Sequence, residues 1–205
     1  MGRVRFRLTY LEKRYYLLIF SVVLLLVVYL FKNASTPLRA ISTIAVMFLF
    51  YFADHLFNIN FKKRHYAFML IIALASFLGS PFYFIYPNYD KVQHFFQPIL
   101  LSSIIFFMIN KLHLELKWKI TFTFFVVVAL LGIFEIGEFV LDSFFNLRLQ
   151  GVYLRDSQGL EKFNLLMDPL KDTIIDLAYG MAGSIVYCGA LAGFYRKKLR
   201  HNLLK

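Results

Sequence analysis

Cysteine is nearly absent from this chain of 205 residues. Cys188 stands alone inside an apolar run, which excludes an intramolecular disulfide and any cysteine-based metal motif. A phosphate-cradling glycine loop and a Ser-His-Asp order are missing too, so the templates of soluble enzymes do not apply. No internal repeat or low-complexity tract breaks the chain into modules. Nor do apolar and polar residues alternate, which excludes the strands of an outer-membrane barrel. Charge is sparse at 17%, and acid is scarcer than base, with 12 Asp and Glu against 23 Lys and Arg.

What fills the chain instead is apolar. Hydrophobic residues make up 60% of it, Phe alone numbers 25, and the mean hydropathy is +0.62. Soluble domains carry about 45–50% apolar residues, and a core of this size cannot absorb the excess. About 20 apolar residues at ~1.5 Å each span a hydrocarbon slab ~30 Å thick. Six windows qualify, at about 15–31, 37–57, 66–86, 91–110, 119–141 and 172–194. Helices satisfy their own backbone amides in lipid, so the fold class predicted is all-α, a polytopic bundle of about six transmembrane helices forming one domain over 1–205. The first window is long, lacks an A-x-A-like cleavage site and is followed by five more, and is expected to be a retained helix instead of a removed signal peptide.

A net charge of +11 raises the question of nucleic acid, but the basic residues follow the membrane windows instead of forming a patch. Arg3, Arg5, Arg7, Lys13 and Arg14 precede the first window, and Lys62, Lys63 and Arg64 separate the second from the third. Lys111, Lys117 and Lys119 separate the fourth from the fifth, and Arg196, Lys197, Lys198, Arg200 and Lys205 follow the sixth. The alternate loops hold only Lys32, Arg39, Lys91, Arg148, Arg155, Lys162 and Lys171. By the positive-inside rule both termini are cytoplasmic, the partner is the bilayer of the plasma membrane, and no nucleic acid is expected.

Local signals punctuate the windows. Thr36-Pro37 and Asp168-Pro169 each read as an N-cap followed by proline at the first helical position. Gly79-Ser80-Pro81 is expected to interrupt the third window. Trp118 reads as an interface anchor, and Asn33-Ala34-Ser35 matches a glycosylation sequon lying too close to two helices to be used. The one long connection, 143–167, carries turn signals at Gln150-Gly151 and Ser157-Gln158-Gly159 and an amphipathic piece over 160–167. It is expected to be either an interfacial helix on the headgroups or a lid over a site.

Under this topology the acidic residues become informative. Asp90, Glu135, Glu138, Asp142, Asp156, Glu161, Asp168, Asp172 and Asp176 all fall in outer loops or outer half-helices. Asp90, Lys91 and His94 share the start of the fourth window, while Glu135, Glu138 and Asp142 share one face of the fifth. Asp168, Asp172 and Asp176 share one face of the sixth, at about the same depth. An ionised Glu135 exposed to lipid costs a few kcal/mol or more, so such groups face inward, pair, or hold a cation.

Carboxylates with an imidazole suit Mg²⁺, Mn²⁺ or Zn²⁺, held by His94, Glu135, Glu138, Asp172 and Asp176, with Glu135, Glu138 and Asp172 as the catalytic candidates. Asp90, Lys91, Gln97, Asp142 and Asp168 complete the polar set. Two other readings stay open. One is a polar-solute or proton pathway, which the break at Pro81 would suit. The other is a network that only holds helices together, with Lys91 and Lys171 neutralising Asp90, Asp168 or Asp172 and Gln93 and Gln97 completing it. Asp54-His55 reads as a solvated interfacial pair. Gly180, Ser184, Cys188 and Ala192, with Gly189 and Gly193, read as small residues that admit a neighbouring helix.

The order of Asp90-Lys91-Val92-Gln93-His94-Phe95, then Glu135 and Glu138, then a Gln-Gly step, then Asp168-Pro169-Leu170-Lys171-Asp172-Thr173-Ile174-Ile175-Asp176-Leu177 with Gly180 and Gly183, resembles the VanZ-like superfamily. Within it the chain is similar to the YjdF-like inner-membrane proteins over about residues 85–190. The Gln-Gly step departs from the pattern in lacking an immediately following Asp. The resemblance implies a cell-surface membrane protein of the predicted topology and names no reaction. The carboxylates and His94, and not the resemblance, suggest a divalent-metal activity on a lipid-linked or other amphiphilic substrate.

Overall fold

The computed structural model describes residues 9–31, 36–86, 88–145, 149–155 and 163–203. Asn33-Ala34-Ser35 and Ser157-Gln158-Gly159 lie outside the described residues. Among the described residues the architecture is all-α apart from one small hairpin, and the chain gathers into two compact units, Met1–Ser80 and Pro81–Lys205. Among the described residues four helical stretches, Arg39–Leu56, Tyr89–Ile109, Leu116–Phe144 and Pro169–Lys197, are long and apolar enough to cross a membrane.

The first unit comprises α1 (Tyr10–Phe31), α2 (Thr36–Leu56) and α3 (Lys63–Ala73). Leu24 and Ala40 form a small buried core, with Phe20, Ile44 and Leu78 packed against it. Beyond α3 the chain continues as a π-helical turn, Leu74–Leu78, before breaking. The cause is the expected one. Pro81 has no N–H to return to the Phe77 carbonyl, which instead accepts from Ser80 Oγ at 2.8 Å, and the chain goes on as a tighter 3-10 turn over Ser80–Phe84.

Asp54 overturns the expectation of a solvated interfacial pair. His55 is exposed, but Asp54 is fully buried and takes the Lys13 ammonium at 2.6 Å, with Lys13 itself only 4% exposed. The same carboxylate accepts from Tyr66 Oη at 2.7 Å and from the Phe61 backbone N–H at 3.0 Å. Tyr10 Oη donates to the Asp54 carbonyl at 3.0 Å. The intervening loop turns through positive φ at Asn58 (46°) and Asn60 (59°), a region that Asn tolerates better than most residues, and buries Phe61 against Phe50. Burial, helped by Arg64 and Lys62, pushes the His65 imidazole down to about 4, so it is neutral at pH 7 and its Nδ1 accepts the Lys62 N–H. A charge can sit in an apolar site when a counter-charge and hydrogen bonds replace its water.

The second unit comprises α4 (Tyr89–Ile109), α5 (Leu116–Phe145), a hairpin of β1 (Val152–Arg155) and β2 (Phe163–Met167), and α6 (Pro169–Leu203). α4 and α6 run parallel: Lys91 meets Asp172 and Asp176, and further along both helices Ser102 Oγ lies 3.2 Å from Ser184 Oγ. α5 runs back alongside both and brings Glu135 to His94. The amphipathic piece expected over 160–167 as a helix is, in its described part, strand β2, antiparallel to β1. Backbone pairing to β1 satisfies its amides where a helix that short would be marginal. Outward-facing side chains are largely apolar and exposed, among them Phe125, Ile133, Ile136 and Phe139, a surface that suits lipid and not water.

Small residues decide how closely α4 and α6 approach, though not all those expected. A Cβ on Gly183 would lie 2.1 Å from the Phe95 carbonyl oxygen, and one on Gly180 would meet Leu131. Gly189 and Gly193, expected to admit a helix, have nothing within 4 Å of such an atom. Pro98 lies buried inside α4 and returns no N–H to the His94 carbonyl, so α4 can bend beside Gly183. Gly183→Ala is therefore expected to destabilise the protein by about 1–3 kcal/mol through overpacking against backbone. Gly189→Ala is expected to be neutral or to gain up to ~1 kcal/mol of helix propensity. Thermal unfolding in detergent checks the pair, and equal melting temperatures for the two would contradict the close approach.

Candidate functional site

The start of α4, the end of α5 and the start of α6 meet at one end of the second unit. α6 begins there because Asp168 caps it, accepting the Lys171 N–H on Oδ1 at 3.0 Å before Pro169 at the first helical position. Asp168 is thus spent on the helix terminus. One turn on, Asp172 and Asp176 point at α4 and are 4% and 3% exposed.

Lys91 is the hub. Its Nζ lies 3.0 Å from Asp90 Oδ2 and 2.6 Å from Asp176 Oδ1, and it also bonds Asp172 Oδ1. An ammonium has three protons, and these three carboxylates use them all. His94 stands beside this group, with Nε2 3.4 Å from Asp90 Oδ1 and Nδ1 3.8 Å from Glu135 Oε1. Glu135 is 4% exposed and is hydrogen-bonded to Thr173. Glu138, three residues further along α5, is partly buried. Asp90, His94 and Asp176 each offer one donor atom, and these atoms lie within 4.8 Å of one another.

The structure brings Asp90, Lys91, His94, Glu135, Asp172 and Asp176 together, as helical spacing leads one to expect. Three others of the polar set have these partners. Gln97 bonds Gln93 on its own helix, Asp168 is the cap described above, and Asp142 turns to the following loop. Lys171 is exposed, so of the two lysines weighed as counter-charges Lys91 alone is buried among these acids.

Thr173 and Gln150 were not among the site candidates. Gln150 Nε2 donates to Thr173 Oγ1 at 3.1 Å, and the Gly151 N–H donates to Asp172 Oδ2 at 2.8 Å. The sequence signal for this was the Gln-Gly turn, but a turn motif does not say which helix it lands on.

No curated protein and no solved structure matches the chain. A family model does, described as predicted membrane protein and numbered DUF2238, over residues 13–198. That stretch contains every residue of the cluster, and on its extent the chain belongs to the DUF2238 family of membrane proteins.

Proposed function

We propose that this chain is a multi-pass plasma-membrane protein whose α4–α5–α6 cluster binds a divalent cation and uses it on an amphiphilic substrate such as a lipid-linked phosphate. The observation that carries the reading is the group of Asp90, His94 and Asp176, whose donor atoms fall within 4.8 Å of one another. The charge balance supports it: four carboxylates, those of Asp90, Glu135, Asp172 and Asp176, face one ammonium and one imidazole. A buried anionic excess of this kind calls for a cation or for protons.

Mg²⁺, Mn²⁺ or Zn²⁺ are the candidates, with the imidazole favouring Mn²⁺ or Zn²⁺. The metal would polarise a phosphoryl oxygen or activate water, while Glu135, Glu138 and Asp172 would hold or move protons at the reacting group. The topology proposed with it is six spans in one domain, both termini cytoplasmic and the cluster on the outer side, on the strength of the loop charges. The likeness to VanZ-like and YjdF-like proteins accords with a site facing the cell surface.

A second reading is favoured by Lys91, which spends all three protons on Asp90, Asp172 and Asp176. On this reading the network fastens α4 to α6 and binds nothing. Elemental analysis of protein purified without chelator separates the two. The metal reading expects near-stoichiometric metal in wild type and loss of most of it in His94→Ala/Asp176→Ala. Absence of metal from wild type, or content unchanged in the variant, would leave the fastening network.

A further inference from the structure

We infer that the segment from Leu149 to Val152 is a strap across the carboxylate cluster, and that it must release before a solute can enter from that end. The inference takes the cluster as the functional site and does not depend on which ligand it holds. Three successive backbone N–H groups are bound by two helix carboxylates. Leu149 and Gln150 both donate to Asp142, each at 2.8 Å, and Gly151 donates to Asp172 at 2.8 Å. The Gln150 side chain adds a bond to Thr173 Oγ1 at 3.1 Å and a longer one, 3.5 Å, to the Glu135 carbonyl. The segment is thus tied to the end of α5 and to the start of α6 at once.

The turn that permits this runs through Gly151 at φ 90°, a region that side-chain-bearing residues rarely adopt. Val152, the next residue, is 7% exposed and begins the hairpin. Under the strap Lys91, Asp172, Asp176 and Glu135 are all below 10% exposure. Asp172 joins the two systems, giving Oδ1 to Lys91 and Oδ2 to Gly151. Asp142 accordingly lies outside the ligand group: its carboxylate anchors the strap.

The test uses the full chain with Cys188→Ser and a reporter, Glu135→Cys, whose labelling by a small membrane-impermeant methanethiosulfonate is timed. With the strap intact, labelling is expected to be slow. Asp142→Ala removes the acceptor of two charge-assisted bonds and is expected to accelerate it about tenfold or more. Gln150→Ala, which leaves the backbone anchors, is expected to give a smaller acceleration, and it carries the test if Asp142→Ala fails to elute as a monodisperse species. Labelling as fast in the intact strap as in both variants would overturn the inference. The readout needs no metal, so a metal-free wild type would sink the cation reading while leaving this result standing, and the reverse outcome would do the opposite.

Discussion

Asp54→Ala is expected to cost the protein about 3–5 kcal/mol, the range for breaking a buried ion pair by removing one partner. The size follows from what is left behind. The Lys13 ammonium, 4% exposed, loses its counter-charge, and the Tyr66 hydroxyl and the Phe61 N–H lose their acceptor. Each stranded donor adds its own desolvation penalty. Asp54→Asn keeps an acceptor for Phe61 but also strands the ammonium, so it too should be strongly destabilising. Adding Lys13→Met removes the stranded charge and is expected to recover most of the Asp54→Asn loss. Thermal unfolding of wild type, Asp54→Asn, Lys13→Met and the double variant in detergent forms a double-mutant cycle. A melting temperature for Asp54→Ala within a degree or so of wild type would mean that this pair does not fasten α1 to α2.

The second large effect is expected at Lys91. Lys91→Met leaves Asp90, Asp172 and Asp176 facing one another without the ammonium that holds them, a loss again of about 3–5 kcal/mol. Here the proposed cation makes a distinguishing prediction. A divalent ion able to take the vacated position restores stability by mass action, about 2.7 kcal/mol at a hundredfold excess over its Kd. Melting curves of Lys91→Met with and without added Mn²⁺ should therefore separate by several degrees. Adding Asp176→Asn should abolish most of that separation, since Asp176 belongs both to the Lys91 cradle and to the three-residue donor group. A Lys91→Met protein that is destabilised but indifferent to divalent ions supports the fastening network. One that melts like wild type contradicts both readings.

Much of this molecule could be read from the chain alone because the relevant forces are local or periodic. Long apolar runs imply helices wherever water is absent, since only a helix satisfies its own amides there. The spacings of Glu135 to Glu138, of Asp172 to Asp176 and of Asp90 to His94 place each set on a single helix face whatever the helix packs against. Asp168-Pro169 marks the start of α6, and Gly79-Ser80-Pro81 the end of a helical run, because capping and the missing proline N–H act within one turn.

What escaped the sequence shares one cause, the dependence on a partner far along the chain. Lys13 and Asp54 are 41 residues apart, and nothing near Asp54 distinguishes a solvated aspartate from one that a distant lysine neutralises. Gly183 and Gly189 look alike in sequence, and the Phe95 carbonyl is what makes one essential and leaves the other free. Asp142 and Asp172 lie on comparable helix faces, yet one binds the strap and the other divides itself between strap and lysine. The piece ending at Met167 became a strand because β1 was there to pair with it. Helical periodicity by itself determined which side chains share a face and at which level of a span they stand. Which of them touch, and so which are ligands, caps, anchors or counter-charges, was decided only when α4, α5 and α6 packed together, because a hydrogen bond or ion pair is set by distances of a few ångströms that spacing along a chain does not specify.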